Sequence, residues 1–396
     1  MKKIVLVVML AVFILLGLFF TYQKTNKVES DQKSPQILES SLEEQVWRER
    51  IQSAFDSVEC LNPSAPYFGE NTYKGPMIDA HWHIANIPDN DLSETPEAEG
   101  ERPLLGVNTK ITDIICTLER EGTTKVFAFF PVYNDPEIME PMVEVVKRTM
   151  EKYPDKFVPF IMPPDNDDSP SGFPTVDKES LQTMLYISPG LFKGYGEIGL
   201  YARGDHGGPK GAPELPPNSQ RLKDIYPIVR ENNLLVYFHL GEGQKEAFEE
   251  TLSANQDINF IFHGDQLIPY ENGIQNLEHI DDILSNHPNV FYEIDELWGD
   301  AFILRPEVGK QEFLAHFQNY EELLDKDVET WKAFIEKHQD QVIWGTDRGW
   351  SSDWSSDEDV GLTMTSYTRA FIARLSPAVQ EKYAYKNAEK LINSWE

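Results

Sequence analysis

Short runs of apolar residues alternate along the chain with segments in which apolar residues recur every three or four positions. The runs predict eight strands, and the recurring positions predict the helices between them. The predicted strands cover 77–81, 125–130, 157–162, 192–197, 234–238, 259–262, 290–294 and 342–346. Because the runs are nearly continuous rather than alternating, they are typical of parallel strands buried on both faces.

The segments between these strands complete a repeating strand–helix order. Predicted helices cover 109–121, 220–231, 274–285 and 328–338, and others begin near Asp135-Pro136 and Ser376-Pro377. Eight such units over roughly 320 residues fit an α/β fold, a (β/α)8 TIM barrel. A doubly wound open sheet is the alternative fold, but a His-x-His pattern follows the first strand where that fold carries a Gly-rich phosphate loop.

The N-terminal region is predicted to lie outside the barrel. Two lysines precede the apolar run Ile4–Phe20, so residues 1–26 read as a signal peptide or an uncleaved N-terminal membrane anchor. Residues 27–75 are expected to be a linker with a short helical extension, and residues 76–396 the barrel. The lysines of such a segment stay in the cytoplasm. We therefore expect the barrel to be exported to the cell envelope or periplasm, either anchored or secreted.

Composition and charge limit the kinds of molecule that the chain is expected to bind. The chain has 396 residues, 40% of them hydrophobic, and a formal net charge of −31. Such a surface repels a phosphate backbone, so nucleic acid is not an expected partner. Contact with a membrane is expected only through the N-terminal segment, and nothing indicates an oligomeric state. Cys60 and Cys116 either pair in an oxidising compartment or stay as buried free thiols.

Polar side chains that can bind metal stand where the predicted strands end. His81 and His83 are one residue apart, so both point to the same face of their strand. Four more candidates each follow a later apolar run, namely Glu197, His239, His263 and Asp347. Imidazole and carboxylate groups suit Zn²⁺ and similar divalent ions. Since buried polar groups need partners, a metal accounts for this set better than separate core contacts do.

A family resemblance lies in the same motifs, which are Ile78-Asp79-Ala80-His81-Trp82-His83, Phe238-His239, Phe262-His263-Gly264 and Trp344-Gly345-Thr346-Asp347. They resemble those of the amidohydrolase superfamily of metal-dependent TIM-barrel hydrolases, and most of all its amidohydrolase-2 (amidohydrolase-related) branch. The segment 385–391 is similar to the terminal helix of that branch. The resemblance extends over residues 76–393 and is specific for the superfamily rather than for a substrate.

The resemblance implies a metal centre with defined roles. His81, His83 and His239 would bind the metal, and Asp347 would be a further ligand that also takes a proton from the metal-activated water. His263 would either bind a second metal or act as a catalytic residue in a one-metal site. The implied cofactor is one or two divalent ions, zinc first and manganese as the alternative. A zinc ion lowers the pKa of bound water to about 7.

The sequence allows more than one role for each of two acids, Glu197 and Asp79. The run Gly196-Glu197-Ile198-Gly199-Leu200 resembles the strand-4 motif of TatD-type nucleases, in which this glutamate is a metal ligand. The alternative for Glu197 is a buried acid paired with Lys193 or Arg203. Asp79 would either hydrogen-bond a ligand histidine or serve as a structural buried acid.

We expect an enzyme, a metal-dependent hydrolase acting with activated water on an ester, lactone or amide bond of a small molecule. A decarboxylase or hydratase of the same superfamily is one alternative, and release of CO₂ would distinguish it. A phosphoester or phosphotriester hydrolase with two metals is another alternative, and Glu197 bridging two ions would support it. A third alternative is a non-enzymatic binding protein that has kept the barrel. The complete set of ligands argues against it, because Asp347 would have no evident role in binding alone. Loops are expected to set specificity, with Arg203 or Arg348 as candidates for binding a substrate carboxylate.

Overall fold

The computed structural model describes residues 42–84, 109–132, 136–163, 176–201, 214–263, 270–271, 274–295, 297, 308–349 and 353–394. The predicted N-terminal segment, residues 1–26, and Arg203 lie outside these ranges. The chain divides into a unit of residues 1–46 and a much larger unit of residues 47–396. None of the described helices is long and apolar enough to cross a membrane.

Parallel strands form the centre of the large unit. In chain order the strands are β1 (Met77–His83), β2 (Thr123–Pro131), β3 (Phe157–Met162), β4 (Gly194–Gly199), β5 (Leu235–His239), β6 (Phe260–His263), β7 (Tyr270–Glu271), β8 (Ile274–Gln275), β9 (Val290–Ile294) and β10 (Val342–Trp344). Eight of them pair in the order β1-β2-β3-β4-β5-β6-β9-β10, and every pairing is parallel. The remaining two, β7 and β8, pair antiparallel as a separate hairpin.

The first and last strands of this order meet, so the sheet is a nearly closed barrel. Trp82 forms a parallel bridge with Arg348, and the His83 amide donates to the Arg348 carbonyl at 2.7 Å. This closure agrees with the predicted (β/α)8 architecture, and the open doubly wound alternative is wrong.

Helices follow the strands. The described α-helices are Leu42–Ser53, Ile111–Glu121, Pro136–Lys152, Lys178–Ile187, Gln220–Glu231, Lys245–Ala254, Glu278–Asn286, Lys310–His316, Tyr320–Lys337, Glu358–Ile372, Pro377–Glu381 and Asn387–Asn393. Short 3-10 helices lie at Phe317–Asn319 and Asp353–Ser356, and a π-helical turn at Lys382–Lys386. Side-chain caps begin two of them, because Asp177 accepts from the Ser180 amide and Ser219 from the Leu222 amide. The predicted helix 274–285 begins only at Glu278, since Ile274–Gln275 pairs in the hairpin.

The two faces of the strands contribute to different parts of the core. One set of alternating residues packs against the helices, as Val236 and Phe238 of β5 do. The other set, which includes Phe129 and Tyr237, forms a second cluster drawn almost entirely from strands. Because successive side chains of a strand point to opposite faces, His239 continues the face of Tyr237. The face that fills the barrel interior therefore also carries the candidate ligands.

A buried ion-pair network lies at the seam between β1 and β10. The Arg348 guanidinium is fully buried. It lies 3.0 Å from each Glu121 carboxylate oxygen and 3.3 Å from Asp79 Oδ2, and it stacks over the Trp82 ring at 3.9 Å. The prediction that Arg348 binds a substrate carboxylate is therefore wrong, because Asp79 and Glu121 already occupy its donors. Asp79 is a structural acid in this network, and it also accepts a hydrogen bond from the backbone amide of His81 at 3.1 Å.

The two cysteines are joined in a disulfide. Cys60 and Cys116 have their Cα atoms 5.5 Å apart, and 56 positions separate them in sequence. The bond connects the segment before β1 to the helix Ile111–Glu121. Of the two open alternatives for these residues, the structure contains the paired one.

Candidate metal centre

All six predicted metal-binding residues lie at the carboxyl ends of barrel strands. His81 and His83 end β1, Glu197 lies on β4, and His239 and His263 end β5 and β6. Asp347 follows β10 after a short turn, in which its φ of 47° lies in the left-handed region that Asp tolerates. In TIM barrels this end of the strands is where active sites are built.

Close packing of β4 on β5 positions the Glu197 carboxylate. Gly196 has a φ of 132°, and a Cβ at this position would lie 2.3 Å from the Tyr237 carbonyl oxygen. Only glycine allows this approach. On the next pair, His239 of β5 is in register with His263 of β6, and their ring centroids lie 4.3 Å apart.

The first ligand group contains His81, His83, Glu197 and Asp347, whose donor atoms all lie within 4.8 Å of one another. Asp347 Oδ1 lies 2.9 Å from His83 Nε2 and 3.1 Å from His81 Nε2. The two Nε2 atoms are 3.1 Å apart. Glu197 Oε2 is 3.3 Å from the nitrogen of His83 and 3.6 Å from that of His81.

The second ligand group contains Glu197, His239 and His263. Here Glu197 uses its other oxygen, since Oε1 lies 2.9 Å from His239 Nδ1 and 2.7 Å from His263 Nε2. The Glu197 carboxylate therefore lies between the two groups, with one oxygen directed to each. By these distances His239 belongs with His263, whereas the resemblance placed it with His81 and His83.

The electrostatics of the cluster favour a bound cation. Burial raises the pKa of the Glu197 carboxyl, but His263, His239 and His81 lower it, and the net pKa lies well below the usual value. Burial likewise raises the pKa of Asp347, and His81 and His83 bring it below its ordinary value. Both carboxylates are therefore ionised in a buried site, where uncompensated charge is costly.

The histidines respond to the same charges. Burial lowers the pKa of His81, but Asp347, Glu197 and Glu293 raise it, to about 10 overall. The site thus attracts positive charge, as protons or as a metal. The donor set is imidazole nitrogen and carboxylate oxygen at spacings near 3 Å, which suits an ion that binds such ligands at about 2.0–2.2 Å. The residues present fit a divalent metal.

Three further polar residues contact the ligand histidines, and the sequence pattern did not point to them. Glu293 Oε2 lies 3.2 Å from His81 Nδ1, and Asp295 Oδ2 lies 3.1 Å from His263 Nδ1. The Tyr237 hydroxyl donates to Glu293 Oε2 at 3.1 Å. The available signal was the spacing of Glu293 and Asp295 at the end of an apolar run, the same spacing that singled out His81 and His83.

The chain resembles solved structures only distantly. No protein-family model matches it, and a search of curated proteins finds no match. A probable 2-pyrone-4,6-dicarboxylic acid hydrolase from Acinetobacter baumannii, with citric acid bound, is 12% identical, with a TM-score of 0.48 over 80% of this chain and 99% of that one. An amidohydrolase from Burkholderia multivorans with bound zinc is 10% identical, with a TM-score of 0.48 over 81% and 99%.

A third solved structure has a different activity. The 2,6-dihydroxybenzoate decarboxylase from Rhizobium is 12% identical, with a TM-score of 0.43 over 82% of this chain and 100% of that one. A hydrolase, an amidohydrolase and a decarboxylase thus all resemble the chain at low identity and low score. We therefore argue the fold and the chemistry of this chain from its own strands and side chains, and not from these similarities.

Proposed function

We propose that this protein is a metal-dependent hydrolase of the amidohydrolase type, acting on an ester, lactone or amide bond of a small molecule. One observation carries the proposal. Four histidines and two carboxylates converge at the carboxyl end of a parallel barrel in two ligand groups that share Glu197. Zinc is the proposed ion and manganese the alternative, because the donors are imidazole and carboxylate.

The ion would supply a water of lowered pKa and polarise a carbonyl oxygen. The side chains around it have separable roles in this proposal. Asp347 is buried, ionised and within 3.1 Å of the Nε2 atoms of His81 and His83, which places a proton acceptor beside the metal position. His263 is held at Nδ1 by Asp295 and directs Nε2 into the site, as a metal ligand or as a group that polarises the substrate.

A two-metal phosphoester hydrolase is the second candidate, and the position of Glu197 favours it. Its two oxygens face different ligand groups, with Oε1 at 2.7 Å from His263 Nε2 and Oε2 at 3.3 Å from His83 Nε2. A carboxylate in this position suits a bridge between two ions, and paired metals stabilise both the attacking and the leaving oxygen of a displacement.

Export is also part of the proposal. It is supported by the apolar run Ile4–Phe20 behind two lysines and by the disulfide between Cys60 and Cys116, because disulfides persist in oxidising compartments. Residues 1–26 would then be the signal peptide or membrane anchor. Export is tested by whether the protein is found in the cell envelope or remains in the cytoplasm. The mass of its N-terminal peptide then distinguishes the two alternatives, since a cleaved signal would leave a shorter N-terminus.

The function is tested by assaying the full-length chain, loaded with zinc or manganese, on panels of esters, lactones, amides and phosphoesters, with release of CO₂ from aromatic acids measured in parallel. Asp347→Asn is expected to lower kcat/KM by about 10²-fold or more, as loss of a general base does. The matched control is Asp224→Asn, the same substitution on the exposed face of the helix Gln220–Glu231. Equal activity in the two variants would contradict the role of Asp347.

A further inference from the structure

Two acids lie beside the ligand groups, Glu293 on strand β9 and Asp295 directly after it, and neither is in a ligand position of the proposed function. Glu293 and Asp295 are two residues apart, so both point to the same face. Their side chains are 0% and 5% exposed. Since a buried carboxylate without partners is costly, the contacts of these two side chains indicate what they do.

Glu293 is held in contact with His81 from several sides. Its Oε2 lies 3.2 Å from His81 Nδ1 and accepts from the Tyr237 hydroxyl at 3.1 Å. Its Oε1 occupies the space beside Gly345, where a Cβ would lie 2.0 Å away. The lack of a side chain at residue 345 thus makes room for this carboxylate.

Asp295 stands in the same relation to His263. Its Oδ2 lies 3.1 Å from His263 Nδ1, while Glu293 Oε2 is 4.0 Å from the same nitrogen. His81 and His263 are also packed against each other edge to face, with their ring centroids 4.6 Å apart. The two acids therefore hold a pair of touching imidazoles, one acid to each ring.

A carboxylate at Nδ1 decides which ring nitrogen carries the proton. It makes Nδ1 the donor and leaves the lone pair on Nε2, which is then free to bind a metal. Both Nε2 atoms point into the ligand groups, that of His81 to Asp347 at 3.1 Å and that of His263 to Glu197 at 2.7 Å. His239 differs, because its Nδ1 is the nitrogen that faces Glu197.

We infer that Glu293 and Asp295 are positioning residues that hold His81 and His263 with Nδ1 protonated and Nε2 directed at a divalent metal. The inference rests on the proposed function for the presence of the metal, and extends it to the side chains that contact the ligand histidines. Tyr237 belongs to the same set of side chains through its hydrogen bond to Glu293. Neither acid is expected to touch the substrate.

The test is the dissociation constant for Co²⁺ and Zn²⁺ of the full-length chain, measured by competition with a chromophoric chelator. Asp295→Asn keeps an acceptor but loses the charge, and should weaken binding about tenfold. Asp295→Ala loses both, and should weaken it about a hundredfold, the range typical of such partners. Glu293→Gln should behave like Asp295→Asn. The control is Asp327→Asn, a buried acid that accepts from the Tyr367 hydroxyl instead and should leave binding unchanged within about twofold.

The outcomes separate the inference from the function it rests on. If the unsubstituted chain binds no metal, the proposed function fails. If it binds metal and the β9 variants bind equally well, the inference is overturned while the function stands. A histidine-labelled, zinc-loaded wild-type protein gives a check that needs no variant, because nitrogen NMR identifies the tautomer of each ring. We expect protonated Nδ1 at His81 and His263, and protonated Nε2 at either would overturn the inference even if a variant fails to fold.

Discussion

Replacing Arg348 with leucine should destabilise the barrel far more than the loss of an ordinary surface arginine. The Arg348 side chain is fully buried and donates to Glu121 through Nη1 and Nη2, both at 3.0 Å. Its Nε donates to the Thr346 hydroxyl at 3.0 Å. Leucine fills part of the volume but leaves the carboxylates of Glu121 and Asp79 buried without their cation.

The loss of stability depends on the two carboxylates that would stay buried without a cation. Burial raises the pKa of Asp79 to about 6 although Arg348 lowers it, so at pH 8 the carboxylate is ionised and depends on the guanidinium. Removing one partner of a buried ion pair costs about 3–5 kcal/mol. Whole proteins have free energies of unfolding of about 5–15 kcal/mol, so the loss is a large share of the total. Arg348→Lys should lose less stability than Arg348→Leu but be less stable than wild type, because lysine keeps the charge but cannot make the bidentate contact.

Urea unfolding of the full-length chain at pH 8, followed by tryptophan fluorescence, measures the change. The matched control is Arg374→Leu, because Arg374 pairs with Asp325 at 3.6 Å while both side chains are largely exposed, at 48% and 76%. Such a pair contributes at most about 1 kcal/mol. A loss for Arg348→Leu as small as the loss for Arg374→Leu would mean that the buried carboxylates do not need the cation.

Three further predictions concern other parts of the chain. Gly345→Ala places a Cβ 2.0 Å from Glu293 Oε1, and should lower the midpoint of urea unfolding by the equivalent of about 1–3 kcal/mol and weaken zinc binding in the chelator assay. Cys60→Ser together with Cys116→Ser opens a link across 56 positions, and should lower the free energy of unfolding by about 2–4 kcal/mol; an unchanged midpoint would contradict this. Burial raises the pKa of Asp281, but Lys337 and His338 bring it below its ordinary value. The stability that this carboxylate contributes is therefore present above pH 3.8 and is lost as the pH falls through the lower pKa of the folded state. The difference in free energy of unfolding between Asp281→Asn and wild type, measured in urea, should vanish in acid.

Much of the barrel could be predicted because its strands are buried on both faces. A buried parallel strand needs a continuous apolar run, and such runs gave β3 and β9 with the bounds that the structure has. The hairpin of β7 and β8 could not be predicted, since two-residue strands leave no periodic signal. The apolar spacing of 274–285 therefore predicted a helix that began too early.

The ligand set was predictable for the same reason, because a polar side chain that ends a buried strand is conspicuous. Three residues of this region were not predicted correctly from the sequence pattern, namely Glu293, Asp295 and Arg348. Glu293 and Asp295 stand at the end of a strand just as His81 and His83 do. Acidic residues are mostly found on protein surfaces, so their position in the sequence does not by itself indicate a buried site. Arg348 directly follows a ligand candidate, and only the folded backbone shows that its side chain turns into the β1–β10 seam.

The pairing of the cysteines could not be decided from the sequence either. Cys60 and Cys116 are separated by 56 positions, and a disulfide requires their Cα atoms to be closer than about 7 Å. That distance depends on how the segment before β1 packs against the helix Ile111–Glu121, which no local pattern encodes.

Metal content shows directly whether the six converging side chains are a metal centre. The full-length chain should be purified, incubated with zinc or manganese, dialysed, and analysed by elemental mass spectrometry beside His83→Asn and the Asp224→Asn control. We expect about one or two ions per chain in the wild type and the control and a clear loss in His83→Asn, with two ions favouring a bridging Glu197. No retained metal in the wild type would contradict the proposed metal centre.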